Sequence, residues 1–421
     1  ESSFARIGGG SLGGKARGLG FVNTLVNDYN VGNQFEGVVI YVPPAVVIGT
    51  DVFDEFLEEN NLRRFAINCS DDKEITRRFL EASSFPEEIL GELAAFLDII
   101  RTPLAVRSSS LLEDSQYHPF AGVYETYMLP NNHSNPLVRL NDLLNSIKRV
   151  YASTFYQTAK DYIKVTSYRL EEEKMAVIVQ KMVGVAHGNR FYPDFAGVAR
   201  SYNFYPLAPA KNSDGIVSVA LGLGKTVVDG GSTVRLCPKY PTDLIQFYTT
   251  EESRNNSQHE FYALQLDAPT DFGIETHDVL LKQFGLDVAE QDGTLHYVGS
   301  TYSPENDAIT DGLGRSGIRV ITFAPLLRNK NFSLPQILEL LCDMGTWGMG
   351  TPVEIEFAVN MSVPKEKPKE FGLLQMRPLV VHREIEELNV EDFDPSTLIC
   401  QSDQVLGNGI IEDIHDVLIV D

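Results

Sequence analysis

Two alternating runs near the C-terminal end carry the residues best suited to chemistry. They are Thr351-Pro-Val-Glu-Ile-Glu-Phe-Ala-Val359 and Phe371-Gly-Leu-Leu-Gln-Met-Arg-Pro-Leu-Val380, separated by a polar stretch rich in Lys and Pro. A period of two predicts a β-hairpin. Residues two apart on a strand share a face, so Glu354 and Glu356 would project together, with Val353, Ile355 and Phe357 on the other side. Gln375 and Arg377 would join the two glutamates, and Leu374 and Met376 would oppose them. Two carboxylates held close repel unless a cation lies between them or one keeps its proton. Glutamate and glutamine oxygens suit Mg²⁺, and an arginine suits a phosphate held at two points. The spacing points to a metal–phosphate site. The plain alternative is a solvated hairpin face with cross-strand ion pairs.

Two further stretches could hold phosphates. Residues 7–20 form a glycine-rich loop that leads into an apolar-periodic helix, with Lys15 at the junction. Bare N–H groups and a helix N-terminus favour anions. Gly9 to Lys15 satisfies the GxxxxGK part of a P-loop, but Ala16 replaces the Ser or Thr that would reach Mg²⁺, and no clear strand precedes the glycines. A flexible loop with a surface lysine is the simpler reading. In Leu104-Ala-Val-Arg-Ser-Ser-Ser110, a short apolar strand delivers Arg107 and three serines into a polar loop. That loop closes through Phe120-Ala-Gly122 into a second alternating strand bearing Thr126. Arginine, hydroxyls and glycine between strands suit a phosphate clamp, or else a serine-rich turn with a surface arginine.

The elements that must position these groups can be read in order. Residues 36–50 read as one buried strand interrupted at Pro43-Pro44, after which Thr50-Asp51 would cap a helix carrying Phe53, Phe56 and Leu57. Residues 73–101 and 137–170 are helical in pattern. Met175 to Val183 is apolar on both faces, as a central strand is, and the runs at 197–199 and 215–224 continue the strand pattern. Residues 241–315 read as a polar, irregular surface insertion. An amphipathic helix over 334–347 leads into the hairpin, and residues 383–395 read as an acidic linker.

The chain has 421 residues, which predicts two or three domains, and 43% hydrophobic residues, enough for real cores. Its formal charge of −23 argues against non-specific binding to nucleic acid or an anionic membrane. Any anionic ligand must be held by local cations against that field. The four cysteines are scattered without zinc spacing, and no apolar run reaches the ~20 residues of a membrane span. A reduced, cytoplasmic setting is expected, and the opening without Met suggests a piece of a longer protein.

Taken in order, Gly-Gly-Lys15, Val-Pro-Pro44, Val-Arg107-Ser-Ser, Phe-Ala-Gly122 with Thr126, Val-Gln180-Lys-Met182-Val, Gly-Leu-Gly224, Glu354-Ile-Glu356-Phe and Leu-Gln375-Met-Arg377-Pro resemble the nucleotide-binding portion of the phosphoenolpyruvate synthase and pyruvate phosphate dikinase family. Relatives of that family include rifampicin phosphotransferase and the glucan, water dikinases. The resemblance covers roughly residues 5–382. It implies an α+β, ATP-grasp fold in which two mixed α/β subdomains enclose ATP, here expected over 1–174 and 175–382, with 383–421 as linker and the possible start of a swivelling phosphohistidine domain. It also implies that Lys15 and Arg107 hold phosphates while Gly122 and Thr126 close the loop on them. Gln180, Met182 and Val183 would border the adenine. Glu356 and Gln375 would ligate Mg²⁺ with Glu354 beside them, and Arg377 would stabilise the transferring phosphoryl group. The acceptor would be a histidine on a separate domain, with pyruvate or phosphoenolpyruvate handled elsewhere. Lys225 stands where the family usually has Glu, and residues 199–203 depart from its Thr- and Pro-containing version. A non-catalytic nucleotide sensor and a related dikinase or antibiotic phosphotransferase with another acceptor are the alternatives.

Overall fold

The structure is a computed structural model, and it describes residues 4–110, 113, 123–164, 168–242, 244, 250–268, 280–328 and 332–379. Gly122 and residues 383–421 lie outside the described residues. The chain is mixed α/β, and two mixed sheets dominate it.

The first sheet has five strands in the order Phe4–Ile7, Ala45–Ile48, Met175–Lys181, Leu104–Ser110, Thr126–Leu129. The first pair is parallel and the others antiparallel. Met175–Lys181 is flanked on both sides and almost wholly buried, as its continuous apolar run predicts. The second sheet has six strands in the order Val234–Leu236, Ile216–Leu221, Phe195–Arg200, Val353–Asn360, Lys369–Pro378, Val38–Tyr41. Its last pair is parallel. Each sheet takes one strand from the far side of the 174/175 position, Met175–Lys181 in the first and Val38–Tyr41 in the second.

Residues 36–50 form two strands in two sheets, where the sequence suggested one interrupted strand. Proline has no N–H to donate to a ladder, so Pro43-Pro44 ends one pairing and the chain crosses to the other sheet there. A strand, Phe4–Ile7, does precede the glycine-rich loop. The helix Thr50–Glu59 has no side-chain cap from Thr50, whose hydroxyl instead accepts the Ser11 N–H at 2.8 Å.

The outer face of the five-stranded sheet is covered by helices Thr50–Glu59, Asp72–Glu81, Glu87–Ile99 and Pro136–Ser153. Phe53, Phe56, Phe79, Tyr151 and Phe155 pack there against Val106, Val177 and Val179. Each such side chain stabilises by ~1.5–3 kcal/mol on burial. A second core joins the six-stranded sheet to helices Gly13–Asp28 and Leu334–Met349.

The stretch 241–315 is not merely a surface insertion. Its strand Glu260–Gln265 brings Phe261, Ala263 and Leu264 into the second core, together with Leu295 and Val298. Short segments in a polar background hid this burial from a reading by composition. Cys69, Cys237 and Cys342 are free thiols. Among the described residues no helix is long and apolar enough to cross a membrane.

Candidate functional site

The predicted hairpin forms. Val353–Asn360 and Lys369–Pro378 are antiparallel, with Glu354 opposite Arg377 and Glu356 opposite Gln375. A bulge then skips Leu374, because Phe357 pairs with Leu373. The extra residue changes the alternation, so Leu374 joins Gln375 in lining the site and does not oppose it, while Met376 stays in the core as expected.

The hairpin's polar face meets the inner face of the five-stranded sheet across a cavity of about 930 Å³. Arg107 and Thr126, paired across neighbouring strands, project into it, as do Ala105, Met128 and Gln180. Among the described residues, eight lysines and arginines line this cavity (Lys15, Arg107, Arg149, Lys181, Arg200, Lys225, Arg235, Arg377) against three carboxylates, Asp229, Glu354 and Glu356. In a chain of net charge −23 this local reversal of sign selects an anion. A second cavity, of about 760 Å³, has Asp51, Glu55, Glu59, Glu87 and Glu88 in its lining and would repel one.

Polarity also changes along the cavity. One strand runs from Glu354 and Glu356 to Ala358, and another from Arg107 to Ala105. Met182, Val183, Leu223, Leu280 and Leu281 complete the apolar part. Gln180, Met182 and Val183 are all buried, and the Lys181 and Met182 N–H groups are tied to Pro44 O and Pro103 O at 2.9 Å.

At the charged end Arg107 donates from Nη2 to Glu356 Oε2 at 2.8 Å and to Gln375 Oε1 at 2.7 Å, and from Nη1 to Leu374 O at 3.2 Å. The two oxygens expected to ligate a metal therefore converge on one point, and the charge at that point is a guanidinium. Glu354 bridges two more arginines: Arg377 donates from Nε to Oε1 at 2.9 Å, and Arg200 from Nε to Oε2 at 2.7 Å. Burial pushes the Glu354 carboxyl up, but the Arg377 charge and the Arg200 hydrogen bond outweigh it and hold the group below its ordinary range. No cluster of three or more His, Cys, Asp or Glu side chains that could hold a metal occurs among the described residues.

Lys15 reaches the cavity from the first turn of helix Gly13–Asp28. Its Nζ pairs with Glu113 Oε1 at 2.6 Å and lies 3.3 Å from Ser108 Oγ. The glycine loop before it does not line the cavity. Two of its amides are used inside the protein, Ser11 N–H on Thr50 Oγ1 and Gly13 N–H on Ser11 Oγ, and just after it Ala16 N–H donates to Ser109 Oγ. Gly13 is required there. Its φ of +72° is left-handed backbone, and a Cβ would stand 1.8 Å from Ser109 O.

The three serines are not in a polar loop either. The strand continues through Ser110, all three are fully buried, and they bind the Lys15 helix and Glu113. Sequence reasoning missed Arg149, Arg200 and Arg235 in the lining of this site, and Glu113 as the partner of Lys15. Arg200 had a signal, since it alternates with Val198 on a strand, whereas Glu113 had none, since its partner Lys15 is 98 positions away.

The site is thus a cation-rich, two-character cleft between mixed sheets, of the kind that binds nucleotides. The model of the pyruvate phosphate dikinase AMP/ATP-binding domain matches residues 10–397, and the chain belongs to that family. It is 27% identical over 197 residues to an uncharacterized phosphotransferase, YvkC, of Bacillus subtilis, a match covering 46% of this chain and 20% of the relative. It is 26% identical over 235 residues to a rifampicin phosphotransferase of Streptomyces sviceus, covering 52% and 23%. It is 25% identical over 214 residues to a probable phosphoenolpyruvate synthase of Methanothermobacter thermautotrophicus, covering 46% and 28%. The matches span less than a third of each of these relatives' length.

Proposed function

We propose that this chain is the ATP-grasp nucleotide-binding part of a phosphotransferase, passing a phosphoryl group from Mg·ATP to a histidine on a separate swivelling domain. The observation that carries the reading is one cavity that has both a cationic end and an apolar end. A nucleotide has the same division, with a polyanionic tail and an apolar, planar base.

In this reading Lys15 and Arg107 hold phosphate oxygens, and Thr126, with Gly122, closes on them. Met182, Val183 and Gln180 border the adenine. Glu356 and Gln375 fit Mg²⁺, because their oxygens already converge on one cation. Bound there, Mg²⁺ would neutralise charge developing on the phosphate oxygens. Arg377, steadied by Glu354, faces the transferring phosphoryl group. Such a transfer passes through a loose transition state that needs positioning and charge more than a protein nucleophile. A cytoplasmic setting and a division near residue 174 belong to the same proposal.

Pyruvate is the acceptor favoured by the phosphoenolpyruvate synthase relatives. The rifampicin phosphotransferase relatives favour an alternative in which the same cleft serves another acceptor. A non-catalytic sensor would share the cleft without the transfer, and the departures that motivate it are Lys225, ion-paired with Asp229 at 2.8 Å, and the altered stretch 199–203.

Isothermal titration with ATP, with and without Mg²⁺, tests the reading. Saturable, metal-dependent binding is expected, and it should be lost in an Arg377→Ala, Glu356→Gln double variant. Binding that ignores both the metal and the double substitution would overturn it.

A further inference from the structure

Among the arginines at the charged end, Arg107 and Arg377 each donate from two guanidinium nitrogens to hairpin groups. Arg200 is used differently. It donates only from Nε, to Glu354 Oε2, and its two terminal nitrogens have no protein partner among the described residues. The side chain is 49% exposed although its carboxylate partner is 6% exposed. It lines the same cavity.

The backbone beneath Arg200 is fixed. Arg200 pairs with Ile216 on one side and Glu354 on the other, so Arg200, Glu354 and Arg377 form one row across three adjacent strands. The next residue is clamped to the hairpin: Ser201 N–H donates to Val353 O at 2.9 Å, and Ser201 Oγ accepts from Val353 N–H at 2.8 Å and from the Thr346 hydroxyl at 3.0 Å. A guanidinium anchored through Nε on a side chain that lines a cleft keeps its two outer nitrogens to grip two oxygens of one phosphate.

From this we infer that Arg200 is an additional phosphate-binding residue of the site. It takes the tail phosphates of the nucleotide beside Arg377, and Glu354 sets the spacing of the two guanidinium groups. The inference rests on the nucleotide reading above. It places a function on the stretch 199–203, where this chain departs from the family's usual residues.

The test is calorimetric titration of the parent, Arg200→Ala and Arg200→Lys with Mg·ATP and with AMP, thermal melting being used to verify that each variant folds. Arg200→Ala is expected to weaken ATP about tenfold, the equivalent of ~1.4 kcal/mol, and AMP less than twofold. Arg200→Lys should recover part of the loss. If ATP and AMP weaken together, Arg200 acts only as a prop for Glu354, and the inference is wrong. If neither weakens while the parent binds ATP, Arg200 has no ligand role and the nucleotide reading stands. A parent that binds neither nucleotide refutes that reading, and the Arg200 inference falls with it.

Discussion

Arg107 and Glu356 lie 249 positions apart in the chain and form an ion pair of 2.8 Å across the cleft. The same nitrogen holds Gln375, so the guanidinium occupies the point on which both proposed metal ligands converge. Under the proposed function a metal would compete with the arginine for that point when no nucleotide is bound, whereas phosphate oxygens would draw Arg107 away and leave the oxygens to the metal.

Arg107→Ala is therefore expected to act with opposite signs on two ligands. Without nucleotide, binding of Mn²⁺ as a probe, followed by electron paramagnetic resonance, should strengthen about tenfold, since a competing cation is gone. Affinity for Mg·ATP should fall by a similar factor, ~1.4 kcal/mol, since a phosphate contact is gone. A fall in both would show that Arg107 does not guard the metal position.

In the proposed function Arg377 faces the transferring phosphoryl group, and Glu354 holds its guanidinium in place. Arg377→Ala should lower the single-turnover rate of phosphoryl transfer by about 10²- to 10³-fold, the usual cost of losing one preorganised charge-stabilising group. The measurement is made at saturating ATP in the protein together with its acceptor domain. A rate within threefold of the parent would remove Arg377 from the chemistry.

Glu113 is a buried carboxylate whose cation is Lys15. Removing one partner of such a pair costs more than removing both, because the remaining charge is left uncompensated. Glu113→Gln should destabilise the fold by about 1–3 kcal/mol, read as a lower denaturation midpoint. Adding Lys15→Met should recover most of that stability. Additive losses in the double variant would show that the two groups are not coupled.

Glu173 gives a pH signature. Burial pushes its carboxyl up to about 7, with Glu113 adding to the effect and hydrogen bonds from Ser110 and Tyr124 opposing it. The folded chain thus keeps a proton that the unfolded chain, titrating near the ordinary 4.5, gives up. Below 4.5 both states hold the proton and the group is neutral for stability. Between 4.5 and 7 unfolding releases the proton, so stability falls as pH rises, and above 7 the loss is complete. Glu173→Gln should therefore raise the melting temperature at pH 7.5 and converge with the parent toward pH 4.5. An unchanged pH slope in the variant would assign the dependence to another group.

The sequence by itself determined what depends on neighbours along the chain. Alternation at 353–359 and 371–377 specified a hairpin and put Glu354, Glu356, Gln375 and Arg377 on one face, because side chains on a strand repeat every two residues. Apolar continuity marked Met175–Lys181 as a buried strand, and motif order pointed to the family. Tertiary structure decided what depends on distant partners. It split residues 36–50 between two sheets at the prolines, placed Leu374 in the site through one bulge, buried the three serines, and set Arg107 where the two proposed metal ligands converge. It also brought Glu113 to Lys15 and Arg200 into the site. Those outcomes depend on contacts between residues up to 268 positions apart, and no local periodicity carries a record of them.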